Sequence, residues 1–159
     1  MAYPRYRRAR NHKNTSRTAG SVTINGTAWA DLPGVGSAMD LTVDASAGDV
    51  IEAGVNLRWG SEAVIAYLTP WTINNGVVTN PFVAGGVGGG GAAGWHGPSG
   101  VLNPVAGSVH YTLLSGDIYQ GTVTVRLRAR TDSAVNKTIA AVSDIPLLFS
   151  VKNLGPAQS

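Results

Sequence analysis

The stretch Gly121–Arg130, GTVTVRLRAR, decides the fold. Val123, Val125, Leu127 and Ala129 alternate with Thr122, Thr124, Arg126, Arg128 and Arg130. A period of two places the first set on a buried face and the second on a polar one, which is a half-buried strand. Working outward, SVHYTLLSGD (108–117) precedes it, and KTIAAV (137–142) and IPLLFSVKN (145–153) follow. AMDLTVD (38–44) alternates in the same way, with Met39, Leu41 and Val43 on one side. DVIEAGVNLRW (49–59) is longer, and its Gly54 marks a bulge or a close approach. EAVIAYLTPW (62–71) fits helix or strand by pattern, and its β-branched and aromatic residues favour strand. Asn25-Gly26 and Asn75-Gly76 read as hairpin turns. Pro146 reads as the start of a strand, or as a sign that the strand lies at an edge. SAGDVIEAGV and LSGDIYQGTV look alike and predict one shared corner geometry, built on Asp49 and Asp117. No segment forms an amphipathic helix. The expected fold is all-β, a sandwich or barrel of eight or so antiparallel strands.

Composition sets the limits. The chain has 159 residues, enough for one domain with a real core. Only 13% of residues are charged, and no apolar run approaches the ~20 residues of a spanning helix. The start lacks the apolar stretch that follows the basic residues of a secretory signal. There is no Cys, hence no disulfide or thiolate site. Charge is uneven. MAYPRYRRARNHKNTSRT holds Arg5, Arg7, Arg8, Arg10, Lys13 and Arg17 and no acid. The other six basic residues face nine acidic ones, so the body is acidic. The expected division is a basic extended arm at 1–18 and a β domain at 19–159 with a Gly-rich loop at 83–100.

The chemical constellations are weak. The glycines of GGVGGGGAAGW lack the Lys and the following helix of a phosphate loop. A loop packed against a neighbouring chain, using Gly88, Gly89, Gly90 and Trp95, suits its glycines and its apolar remainder. His12, His96 and His110 show no metal spacing, and no Ser sits in a nucleophile elbow. Asp40 and Asp44 share a strand face, roughly 13 Å apart by strand rise. Arg126, Arg128 and Arg130 read as a solvated face paired with acids on the next strand, ahead of a docking surface for an anionic partner. The sequence predicts no catalytic residue, metal or cofactor, and it disfavours an enzyme.

In the leader, Tyr3, Arg5, Tyr6, Arg7 and Arg8 interleave aromatic and cation around Pro4. Such a mixture suits nucleic acid, but also an ordered tether on a carboxylate-rich protein. Extended, it reaches up to ~60 Å. The string from Gly20 to Tyr67, the later YTLLSGDIYQGTVTVRLRAR and the closing LLFSVKNLGP resemble small virion proteins of actinobacterial tailed bacteriophages and prophages. The T-x-W-x-D-L strand, the Gly-Asp-[Val/Ile] corners and the Asn-Leu-Gly terminus carry that resemblance. The body is also similar to trimeric jelly rolls of the tumour necrosis factor and complement globular-head type. The resemblance implies a jelly roll projecting from the particle exterior and a homotrimer. It also implies a leader (Tyr3, Arg5, Tyr6, Arg7, Arg8, Arg10, Lys13, Arg17) docked on other virion proteins, the major capsid protein or tail proteins. It implies no catalytic residue and no membrane contact. Capsid decoration is the leading expectation. The alternative is a minor tail or receptor-binding tip protein that contacts host glycan. Nucleic acid is the disfavoured partner.

Overall fold

A computed structural model describes residues 11–17, 21–32, 38–82, 94–140, 144 and 146–157. Two antiparallel sheets face each other across one core. The first holds β1 (Asn11–Arg17), β2 (Val22–Ile24), β5 (Asp49–Trp59), β9 (Asn103–Thr112), β11 (Lys137–Ala140) and β12 (Leu147–Pro156). The second holds β3 (Ala30–Asp31), β4 (Asp40–Asp44), β6 (Ala66–Asn74), β7 (Val77–Pro81), β8 (Trp95–Gly97) and β10 (Thr122–Thr131). In the first sheet β12 and β11 lie end to end along one side of β5, and β9 runs along the other. β1 flanks β12, and β2 flanks β11. In the second, β4 and β3 lie end to end beside β10, β10 lies beside β6, and β7 and β8 share the far side of β6. The chain crosses between sheets at β2–β3, β4–β5, β5–β6, β8–β9, β9–β10 and β10–β11. That order makes the sandwich a jelly roll, with each sheet four ranks wide.

The core follows from the period-two residues. Val123, Val125, Leu127 and Ala129 of β10 meet Ile51, Ala53, Leu57 and Trp59 of β5 and Leu147, Phe149 and Val151 of β12 in one buried cluster. Each Val, Leu, Ile or Phe among them contributes about 1.5–3 kcal/mol when fully buried. β6 departs from alternation and is buried at every position from Ala66 to Ile73. Its inward residues Ala66 and Leu68 join the core, while Tyr67 and Trp71 lie on the opposite face. Pro70 is tolerated in this interior strand because its missing N–H falls at the break between β8 and β7. Its carbonyl on that side still accepts from the Phe82 N–H at 2.9 Å.

Some expectations hold. Asn75 and Gly76 have φ of 47° and 80° and form the β6–β7 hairpin. β12 begins directly after Pro146, as an interior strand. The two Gly-Asp corners do share a geometry. Asp49 accepts from the Ser46 N–H at 3.0 Å, and Asp117 accepts from the Leu114 N–H at 2.8 Å. Both carboxylates are buried, and each is also held by an Asn, Asn153 and Asn80 respectively.

Other expectations need correction. Asn25-Gly26 is not a hairpin, because β2 and β3 belong to different sheets. Gly26, with φ of 106°, turns the chain from one sheet to the other, and its carbonyl accepts from both the N–H and the hydroxyl of Thr131. The arm expected over 1–18 is corrected at 11–17. Those residues pair with β12 in an unbroken register from Asn11↔Asn153 to Arg17↔Leu147. The pairing is legible only in three dimensions. NHKNTSR has no apolar period, and the backbone of an open sheet edge recruits a strand without one. Residues 1–10 lie outside the described residues.

Candidate functional site

The two outward faces of the sandwich are the candidate interaction surfaces. The second sheet's face is built by register. β10 sets Arg128 opposite Asp31 on β3 and Arg126 opposite Asp40 on β4. Arg126 donates from Nε and Nη2 to the two oxygens of Asp40 at 2.6 and 2.7 Å, and from Nη1 to Asp31 at 3.0 Å. These hydrogen bonds to Asp40 raise the Arg126 pKa above the ordinary arginine value. Arg128 donates to Asp31 and to the Trp29 carbonyl, both at 3.0 Å, and lies 5.2 Å over the Trp71 ring. Among the described residues, Arg130 has no acidic partner. It sits 4.6 Å over Tyr67 and 5.4 Å over Trp29. Trp29 meets Trp71 edge-on at 5.9 Å, and His96 lies 5.8 Å from Tyr67. The expected acid-paired ladder is therefore right for two arginines, while the third is held by aromatic rings. Exposed ion pairs are worth up to about 1 kcal/mol each, and cation–π contacts about as much. This face uses its charges on itself.

The first sheet's face is different. Register aligns His110, Glu52, Lys152 and His12 in one row across β9, β5, β12 and β1. His110 Nε2 and Glu52 Oε2 are 3.0 Å apart. The next row is Ser108, Gly54 and Ser150. A Cβ on Gly54 would come within 2.9 Å of the Ser150 hydroxyl, so the close approach predicted for this glycine is real. Small side chains leave a shallow groove of about 500 Å³ here, bordered by Asn56, Leu148 and His12. Leu148 and Leu154 are exposed large apolar residues of β12.

Two buried polar knots close the ends of the sandwich. Asp117 accepts from Thr72 at 2.7 Å, Asn80 at 2.8 Å and Tyr111 at 3.0 Å, besides the Leu114 N–H. Burial pushes its pKa up, but these hydrogen bonds outweigh that and hold it below the usual aspartate value. Tyr111 shifts upward, through burial first and then through the Asp117 charge. At the other knot the fully buried Lys137 ammonium donates to the carbonyls of Glu62 at 3.0 Å and Pro98 at 2.7 Å. Burial lowers its pKa against the opposing pull of Glu62. Sequence reading missed Lys137, because an isolated Lys at the start of a strand gives no sign of being buried.

The predicted site residues separate. Lys13 is exposed on β1, and Arg17 is the last residue of that strand. Tyr3, Arg5, Tyr6, Arg7, Arg8 and Arg10 lie outside the described residues, as do Gly88, Gly89 and Gly90. Trp95, expected at a subunit contact, is instead 7% exposed and part of the chain's own core. The glycines beside it explain why. A Cβ on Gly97 would lie 2.6 Å from the Trp59 ring, and one on Gly94 would lie 2.6 Å from the Leu68 carbonyl. The end of the Gly-rich stretch thus packs as β8 against β6 and Trp59. Among the described residues, no group of three or more His, Asp or Glu is placed to hold a metal.

No family model matches the chain, and no curated protein matches it. Among solved structures it is similar to Eiger TNF from S. frugiperda, at 13% identity and a TM-score of 0.47, covering 93% of each chain. It is also similar to a chain of infectious bursal disease virus, Gx strain, at 13% identity and a TM-score of 0.36, covering 93% of this chain and 34% of that one. The jelly-roll assignment rests on the strand order, and neither likeness bears on function.

Proposed function

We propose that this chain is a non-enzymatic structural protein on the outside of a bacteriophage particle. It decorates the capsid as a trimer and is held there by its basic residues 1–10. The observation that carries the reading is the division of the basic stretch. Residues 11–17 are fixed to β12 as an edge strand. The Arg- and Tyr-rich residues before them therefore start from a fixed point beside Asn153, at the rim of the first sheet. A cationic segment anchored in this way can bind carboxylates on a neighbour while the folded body stays unchanged. The small-residue face of that same sheet suits contact between copies, since Gly54, Ser108 and Ser150 let a second surface approach closely. Three leaders on one trimer would raise the apparent affinity steeply without new contacts for each.

The test is incorporation into particles. The variant lacking residues 2–10 keeps β1. It should melt with the full-length protein and yet be missing from purified particles. The full chain should appear in copy numbers that follow icosahedral symmetry. Normal loading of the truncated protein would overturn the tether. A few copies per particle would move the assignment to the tail.

A further inference from the structure

A second concavity, of about 380 Å³, opens on the outward face of the second sheet, between its two tight turns. One is Asn75-Gly76; the other is Gln120-Gly121, with φ of 51° and 75°. The latter is closed by paired backbone hydrogen bonds between Tyr119 and Thr122 at 2.9 and 3.1 Å. Both turns keep two consecutive residues in the left-handed region, so the walls they carry are stiff. Between them, Ile73 and Thr124, opposite each other in register, line the pocket with Thr42.

We propose that this pocket binds a neutral hexopyranose unit of a saccharide. The exposed Tyr119 ring, beside a largely buried Ile73, supplies the apolar surface that a sugar's C–H face requires. The Thr42 and Thr124 hydroxyls lie 2.7 Å apart, so one donates to the other, and the acceptor hydroxyl keeps its own proton for a ligand. The exposed Asn75 amide has no hydrogen-bond partner among the described residues and offers both a donor and an acceptor. At the remaining wall, Arg126 is already neutralised by Asp40 and Asp31. The pocket thus presents fixed directional groups without net positive charge, which disfavours an anionic ligand. Its volume falls within the ~300–1,000 Å³ of small-molecule sites. The binding needs no particle, so this inference and the virion assignment can fail separately.

The test is an amide-shift titration of the isolated full chain with methyl α-glucoside, α-galactoside and α-mannoside, with sialic acid as the anionic comparison. A saturable response to at least one neutral hexoside, centred on Thr42, Asn75, Tyr119 and Thr124, is expected. Tyr119→Ala should weaken it about tenfold at an unchanged melting temperature. Asn75→Gly, which keeps the turn conformation, should weaken it as well, and Leu154→Ala on the other sheet should leave it unchanged. No saturable response to any neutral hexoside, preference for sialic acid, or insensitivity to both pocket variants would overturn the proposal.

Discussion

The two outward faces of this sandwich are built on equally regular strands and have opposite economies. On the second sheet, Arg128 and Arg130 stack on two tryptophans and a tyrosine, Asp31 and Asp40 hold Arg126 and Arg128, and β6 is buried on both sides. On the first, the middle row is Ser108, Gly54 and Ser150, and His110, Glu52 and Lys152 lie in the row beside it. The contrast teaches that a face rich in arginine is not automatically a docking face. Where the partners come from the neighbouring strand, charge holds the chain to itself, and the plainer surface remains available for contact.

Substitutions can break this contrast. The largest effect is expected at Trp71. Trp71→Ala removes the ring under Arg128 and beside Trp29 and should cost about 3 kcal/mol in denaturant unfolding. A loss under half of that would mean the stitched face is ornamental.

Next comes Asp117, whose corner anchors β6, β7 and β9 together. Asp117→Asn replaces an acceptor of several hydrogen bonds with a group that must also donate, at about 2 kcal/mol near neutral pH. The folded carboxyl has a lowered pKa, so its stabilisation is complete above the unfolded value, about 3.9. It is lost as pH falls through the folded value. The stability gap between wild type and Asp117→Asn should therefore narrow below about pH 4. A gap independent of pH would show that the charge contributes nothing.

Arg130→Gln comes third. It tests the arginine that sits over two aromatic rings and should cost about 1 kcal/mol, without the salt sensitivity of an ion pair. The smallest change in monomer stability belongs to the first sheet. Ser150→Arg should shift unfolding by no more than about 0.5 kcal/mol. In sedimentation, however, it should abolish self-association. Intact oligomers of this variant would remove the first sheet from the proposed contact.

The sequence by itself determined the class of fold and the core. A period of two forces Val123, Val125, Leu127 and Ala129 to one side whatever surrounds them, and all four are buried. It also determined the paired corners, because an Asp that caps an amide three residues earlier acts locally. Three features were decided only by the tertiary structure. β1 joins β12 through backbone groups that leave no mark on side-chain pattern. Trp95 turns inward because Gly94 and Gly97 let β8 press against β6 and Trp59, and those contacts are far apart in sequence. Arg130 is held by Tyr67 and Trp29 because β6 and the segment before β3 bring aromatic rings to its end of β10. Local patterning fixes which way a side chain faces, and only the pairing of distant strands fixes what it meets there.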